Sequence, residues 1–479
     1  MGILLDKLEL ARIIENTNPW WNARPDVVPN FRRLAFRTCF DLLQDRSQRR
    51  AVLLSGPRRV GKSVILKQIA HALLAEGAPP RSVLYVSFEQ SLLKLVPLRQ
   101  VLDVYRESFH PAGEPAFLLL DEIHYSPEWD VEIKVLVDQR PEYRILATGS
   151  ATNATRGQQE SGVGRWRTVK IPTLSFYEYL RLRNKEIGVA PGEVSLHELR
   201  SVSDAGRIEI ASRTTHLMPE FDRYMLMGGF PETAQLESVA EAQRLLHDDV
   251  VDRVLNRDMT TLFGVRSVPE LERLFIYLCY HTGAIMQVRQ CATDLGVNRQ
   301  TVQNFLDLLE MANLIYRLPP DSHGGKLALK GSSKYYTVDA ALRNAVLLKG
   351  EEVLRDATEL GRVVETTILR HVYAYHYDRL PRLAYWRDSK TNREVDIVVR
   401  LGDFVVPFEV KYREYPLKDG IAPLASFCQE NPGVSRAYFV TRREVDFGRI
   451  LNFPAKAEVF QIPAHIFCLA LGSFEHGSA

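Results

Sequence analysis

The stretch that decides the fold runs from Ala51-Val52-Leu53-Leu54-Ser55 through Gly56-Pro57-Arg58-Arg59-Val60-Gly61-Lys62-Ser63 to Val64 and a helical run ending near Gly77. A short apolar run reads as a buried strand, and a GxxxxGKS loop follows it and opens a helix. The glycines let backbone N–H groups wrap phosphate, and the helix start adds its positive dipole end. In this pattern Lys62 reaches the β/γ-phosphates and Ser63 offers a hydroxyl to Mg²⁺. Residues Gly56 to Val64 are therefore the expected nucleotide-binding loop, with ATP and Mg²⁺ as its ligands.

Four further apolar runs read as strands: Ser82–Phe88, Phe117–Leu120, Arg144–Thr148 and Thr168–Ile171. Helical stretches separate them, which predicts an α/β parallel sheet. Asp121 and Glu122 close the run FLLL, and in a parallel sheet that end lies beside the phosphate loop. Asp121 is the expected holder of Mg²⁺ and Glu122 the general base for an attacking water; a strand-end pair capping the next helix is the plainer alternative. Thr148-Gly149-Ser150 ends another strand, so Thr148 and Ser150 either approach the γ-phosphate or form an ordinary turn.

The chain has 479 residues, enough for about three domains. Hydrophobic residues make up 46%, charged residues 25% and the net charge is +2, the profile of an ordinary globular protein. That balance excludes disordered and fibrous classes, and nothing global demands a nucleic-acid or anionic-membrane partner. Five scattered cysteines without a CxxC argue against a disulfide framework or zinc site. Acids inside the first apolar run argue against a signal peptide, Asp6 against a myristoyl site, and no apolar run is long enough to span a membrane. A cytoplasmic protein without membrane partners is expected.

From Leu174 to Leu347 the pattern is mostly helical. GAIMQVRQCATDLGVNRQTVQNFLDLLEMANLIYRLPP reads as two helices joined at Gly296. Arg299, Gln300, Thr301, Gln303 and Asn304 crowd the start of the second, where such side chains reach base edges or phosphates. Leu318–Val338 alternates through a Gly-Gly turn with Lys326, Lys330 and Lys334, as a β-wing does. The expectation is a winged helix binding duplex or branched DNA; a wing-like module that touches only protein is the alternative. Beyond Gly361 the α/β pattern returns. Glu365 lies on a helix, Asp396 in EVDIVV, and Glu409 and Lys411 in FEVK, two apart and so on one strand face. Two carboxylates with a nearby lysine suit Mg²⁺-dependent phosphodiester hydrolysis; a charged, solvated hairpin is the alternative.

Strand and phosphate loop, DE-ended strand and TGS-ended strand together resemble the AAA+ class of P-loop ATPases. Asn18-Pro19-Trp20-Trp21, Gly164-Arg165, Leu174-Ser175-Phe176-Tyr177-Glu178-Tyr179 and Gly228-Gly229-Phe230-Pro231-Glu232 narrow the resemblance to prokaryotic AAA_14-type ATPases with a C-terminal DUF4143 region. The resemblance implies an AAA+ core over 1–175, a helical lid or linker over 176–267, a winged helix-turn-helix over 268–347 and a domain similar to PD-(D/E)xK nucleases over 348–479, where Val395 replaces the usual proline. It places Arg165 as an arginine finger, with Arg156 and Arg167 as competitors, and hence a homo-oligomer such as a hexameric ring. Trp20 and Trp21 either border adenine or pack as core. Three functions stay open: a DNA-binding motor or remodeller, an ATP-gated nuclease, and a slow nucleotide switch or scaffold.

Overall fold

A computed structural model describes residues 5–111, 113–149, 164–321 and 331–477. They fall into two compact units, Met1–Ile171 and Pro172–Ala479.

In the first unit β1 (Ala51–Ser55), β2 (Val83–Ser87), β3 (Ala116–Asp121), β4 (Tyr143–Thr148) and β5 (Trp166–Lys170) form a sheet ordered β2-β3-β4-β1-β5. Every pairing is parallel. All five β1 residues are buried, as a strand covered on both faces requires. Helices Lys62–Ala75, Leu98–Ser108 and Trp129–Gln139 connect the strands. Because β4 lies between β1 and β3, Thr148 stands between the loop that leaves β1 and the acids that leave β3. Both tryptophan indoles are anchored elsewhere. Trp20 and Trp21 each donate Nε1–H to the Val83 carbonyl, at 3.1 and 3.0 Å. Val83 opens β2, at the end of the parallel sheet opposite the phosphate loop, and Trp21 stacks on Tyr105. That position sets both indole N–H groups away from the phosphate loop; Trp21 is buried, and Trp20 is partly buried edge-on to His71.

The second unit begins with helix Phe176–Leu182, capped by Ser175 and Glu178 in a reciprocal box. His371 Nε2 accepts the Phe176 N–H at 3.0 Å while Nδ1 donates to the Thr367 carbonyl at 2.8 Å, which fixes a neutral tautomer. The GGFPE turn is built by close approach. Gly229 N–H donates to Asp339 at 2.9 Å, and a Cβ on Gly229 would meet the Leu174 carbonyl oxygen at 2.5 Å. Further helices lead through a π-helix, His247–Asp258, to a helix-turn-helix, Val288–Leu295 and Arg299–Met311, with Gly296 at φ 69° between them. Strands β6 (Ile285–Met286), β7 (Ile315–Leu318) and β8 (Ser333–Thr337) pair in the order β6-β8-β7.

A six-stranded mixed sheet completes this unit: β9 (Arg382–Arg387), β10 (Glu394–Leu401), β11 (Phe404–Lys411), β12 (Arg436–Thr441), β13 (Gly448–Arg449) and β14 (Glu458–Pro463), ordered β13-β14-β12-β11-β10-β9. Helix Ala357–His376 packs on it, and the wholly buried helix Ala464–Gly472 packs on helix Ala357–His376 and on β14. The Arg370 guanidinium, 1% exposed, is paired with Glu475 and donates to the Thr173 carbonyl. Among the described residues no helix is long and apolar enough to cross a membrane.

Candidate functional site: a phosphate loop, a basic groove and a carboxylate cluster

Gly61 takes φ 94° at the start of helix Lys62–Ala75, so the loop turns its backbone toward the helix end. Lys62 Nζ donates to the carbonyls of Gly56 and Pro57, at 3.0 and 2.8 Å. Ser63 Oγ donates to Asp121 Oδ1 at 3.0 Å. Thr148 Oγ1 donates to the same oxygen at 2.7 Å and accepts the Glu122 N–H at 2.8 Å. Tyr85 and Ser87 donate to Asp121 Oδ2, at 3.1 and 3.3 Å. Burial and the Glu122 charge push the Asp121 carboxyl up, and the hydroxyls of Thr148, Ser63 and Tyr85 pull it back down. Glu122 adopts φ 49°, a left-handed conformation that is uncommon for glutamate. His124 Nδ1 lies 3.2 Å from Glu122 Oε2. Arg58 reaches Glu89 and Tyr125. Tyr85, Ser87 and His124 were not singled out by the sequence, since no spacing rule marks a hydroxyl on a neighbouring strand. Ser150 and Arg156 lie outside the described residues. Arg165 is paired with Asp138 of its own chain, Nε to Oδ1 at 3.0 Å.

In the helix-turn-helix, Asn298 caps the second helix, accepting from Thr301 N–H at 2.7 Å and Thr301 Oγ1 at 3.0 Å. Gln300 bonds Asn304 and Gln303 bonds Asp307, along the helix. Arg289, Arg299, Gln303, Arg317, Ser332 and Ser333 line a groove of about 770 Å³. Arg317 is held by Asp307 at 2.6 Å and Glu310 at 3.2 Å, whereas Arg289 and Arg299 are exposed. Lys326 and Lys330 lie outside the described residues. Lys334 points inward. Its register partners are Leu318 and Ile285, so it shares their core face and is buried.

The structure brings Glu365, Asp396, Glu409 and Lys411 together. Lys411 Nζ is 2.5 Å from Glu409 Oε1 and 3.6 Å from Asp396 Oδ2. Asp396 Oδ2 also accepts the Val410 N–H at 2.9 Å. Burial and the Asp396 charge push the fully buried Glu409 carboxyl up to about 8, against the pull of Lys411. Lys334 stands among Glu365, Glu394 and Asp396. Burial works against its charge, yet Tyr336 and the three carboxylates raise its pKa well above the usual lysine value.

A family profile described as an AAA domain matches residues 48–180. The chain carries an AAA domain. A DUF4143 domain matches 360–457, and a domain of unknown function, DUF8612, matches 218–353. An uncharacterized protein of Haemophilus influenzae is 26% identical over 369 residues, 75% of this chain and 82% of its own length. An uncharacterized protein of Methanocaldococcus jannaschii is 24% identical over 364 residues, 73% and 75% respectively. Among solved structures, Cdc6p of Pyrobaculum aerophilum aligns over 71% of this chain and 99% of its own at 14% identity and TM-score 0.27. A Thermotoga maritima RuvB variant aligns over 59% and 87% at 15% identity and TM-score 0.25. Likeness at those scores transfers no property to this chain.

The two carboxylate sites differ in their fit to a divalent cation. In the AAA domain, Ser63 and Asp121 meet beside a loop whose N–H groups lead a helix, a donor set suited to a hard cation shared with phosphate. In the DUF4143 domain the carboxylates already surround ammonium groups. Among the described residues, the metal-type side chains whose ligand atoms all lie within 4.8 Å of one another are His247, Asp248 and Asp252, of which Asp248 is exposed and the other two partly buried, and they lie elsewhere. The DUF4143 cluster as folded does not fit a metal, and no hydrolytic step is derived through it.

Proposed function

We propose that the AAA domain binds and hydrolyses ATP and that the chain uses this turnover to act on DNA, as a motor or remodeller of duplex or branched DNA. The observation that carries the reading is the contact between Ser63 and Asp121 at 3.0 Å, which joins the phosphate loop to the acid pair across an intervening strand. Residues Gly56 to Val64 hold the triphosphate, Lys62 exchanging its two loop carbonyls for phosphate oxygens. Ser63 and Asp121 hold Mg²⁺, which supplies charge neutralisation on the transferring phosphoryl group. Glu122 accepts a proton from the attacking water, and the anhydride breaks to give ADP and inorganic phosphate. Thr148 fixes both acids, one through its hydroxyl proton and one through the N–H it accepts. The exposed Arg289 and Arg299 beside the groove support DNA-backbone contact. For Arg165, exchange of its Asp138 partner for a neighbour's nucleotide is the proposed finger role, within a homo-oligomer such as a ring. A phosphate-release assay of Glu122→Gln, with and without duplex and branched DNA, tests the reading. The variant is expected to retain ATP and lose turnover. Undiminished hydrolysis refutes the base assignment, and turnover in the unaltered chain indifferent to every DNA refutes the DNA role.

A further inference from the structure

The winged-helix strand β8 sends one charged side chain into the DUF4143 cluster. Lys334 Nζ lies 2.5 Å from Glu394 Oε1, 3.5 Å from Glu365 Oε1 and 3.8 Å from Asp396 Oδ1. Its side chain is 2% exposed. Those carboxylates come from helix Ala357–His376 and from β10, and they include two of the three nuclease-type acids, Glu365 and Asp396. Asp396 is therefore flanked on both oxygens, by Lys334 at Oδ1 and by Lys411 at Oδ2. Tyr336 Oη donates to Glu365 Oε1 at 2.5 Å. Gly283 closes another side: a Cβ there would stand 3.4 Å from Glu365 Oε1 and 3.3 Å from the Tyr336 ring. The Tyr385 ring lies 5.6 Å from Lys334 Nζ, and its hydroxyl donates to the Ser332 carbonyl at 2.7 Å.

The wing is fastened to the same sheet a second time. Pro320 bridges to Tyr385, and Asp321 pairs with Arg400 of β10 at 2.6 and 2.7 Å. The segments on both sides of the wing tip thus dock on β9 and β10.

A hard divalent cation needs carboxylate oxygens that converge with lone pairs free. In this cluster an ammonium holds the point of convergence, within ion-pair distance of one oxygen of each of the three acids. A buried lysine is tolerated only where carboxylates compensate its lost hydration, so the lysine depends on the acids as much as they on it. Wing docking and cation binding draw on the same oxygens.

We propose that Lys334 is a counter-ion delivered by the winged helix to the nuclease-type carboxylates, so that Glu365, Glu394 and Asp396 latch the wing strand to the DUF4143 sheet and admit a divalent cation only when that strand withdraws. This inference does not rest on the ATPase reading. The test uses the full-length chain without nucleotide, with Mn²⁺ as the probe, following bound Mn²⁺ by electron paramagnetic resonance and protection of residues 333–337 by hydrogen exchange. In the unaltered chain, Asp396→Asn is expected to leave Mn²⁺ stoichiometry unchanged. Lys334→Met, shown folded by circular dichroism, is expected to gain one Mn²⁺ per chain, which Lys334→Met combined with Asp396→Asn loses again. A folded Lys334→Met that gains no Asp396-dependent Mn²⁺ overturns the proposal. The unaltered chain decides the matter even if that variant fails to fold: Mn²⁺ bound in an Asp396-dependent way, with protection of 333–337 intact, overturns it. Mn²⁺ that binds there only with loss of that protection, or not at all, supports it.

Discussion

His124 Nδ1 stands 3.2 Å from the Glu122 carboxylate, and the histidine side chain is 3% exposed. Gly149, at the end of β4, packs against the same ring, so close that a Cβ there would lie 3.2 Å from Nδ1. The imidazole therefore ties the proposed base to the strand end that carries Thr148. Loss of this tether should let Glu122 wander from the water it activates, and small misplacements are costly in rate. His124→Ala is expected to lower kcat about tenfold with nucleotide affinity unchanged. His124→Gln, which keeps a donor near the same place, should recover part of the loss. Steady-state phosphate release and titration with a fluorescent ATP analogue separate the two quantities.

Lys62 is almost wholly buried and donates to two carbonyls of its own loop. Its replacement removes both the phosphate partner and the clamp on the loop. Lys62→Ala should abolish measurable binding of the fluorescent analogue, and retention of binding within a few-fold contradicts the phosphate-loop assignment.

Gly56 is needed for space. An added Cβ would sit 1.9 Å from the Ile171 carbonyl oxygen, a backbone atom that cannot rotate aside. Ile171 in turn donates its N–H to the Ser55 carbonyl at 2.6 Å, so the two segments cannot part without losing that bond. Gly56→Ala is expected to destabilise the first unit by about 3 kcal/mol. Calorimetry should show an early transition in the variant.

Three buried histidines should make the second unit lose stability as pH falls below about 6.5. Burial pulls His376 and His465 down to about 4 and His371 well below its usual value. The unfolded chain takes up protons from about pH 6.5 downward while the folded chain does not, so stability is present above that pH and falls from there toward pH 4. Each such histidine contributes a slope of up to about 1.4 kcal/mol per pH unit. Neither ring nitrogen of His376 has a hydrogen-bond partner among the described residues. His376→Phe should flatten the slope without destabilising the chain at pH 7.5, as read by urea unfolding across that range.

Arg299 is exposed at the rim of the basic groove. If it meets a phosphate, Arg299→Ala weakens DNA binding across sequences and reduces the log–log salt slope by about 1. An unchanged slope removes Arg299 from the interface.

The five-stranded parallel sheet was legible because its strands are short continuous apolar runs punctuated by glycine and acid motifs. The ends were blurred where burial is partial. The last strand of that sheet begins at Trp166, two residues ahead of its apolar stretch, because Trp166 pairs with Ala51 although its side chain is only partly buried. The meeting of Ser63, Asp121 and Thr148 follows from strand order, which the motifs imply. The hydroxyls of Tyr85 and Ser87 do not, since they belong to a strand without any motif. The sequence groups Lys334 with Lys326 and Lys330 as a wing lysine. Lysine in a hairpin ordinarily faces water, and only the register against Leu318 and Ile285, with acids brought from more than thirty residues away, turns it inward. The contact of both indoles with the Val83 carbonyl has no signal in the sequence either, since it depends on where β2 lies.

The pairing of Arg370 with Glu475 makes the final described turn a fastener. A protein trimmed ahead of Glu475, or clipped there by a protease during purification, keeps a guanidinium sealed in the interior with its carboxylate gone, at a cost of about 3–5 kcal/mol.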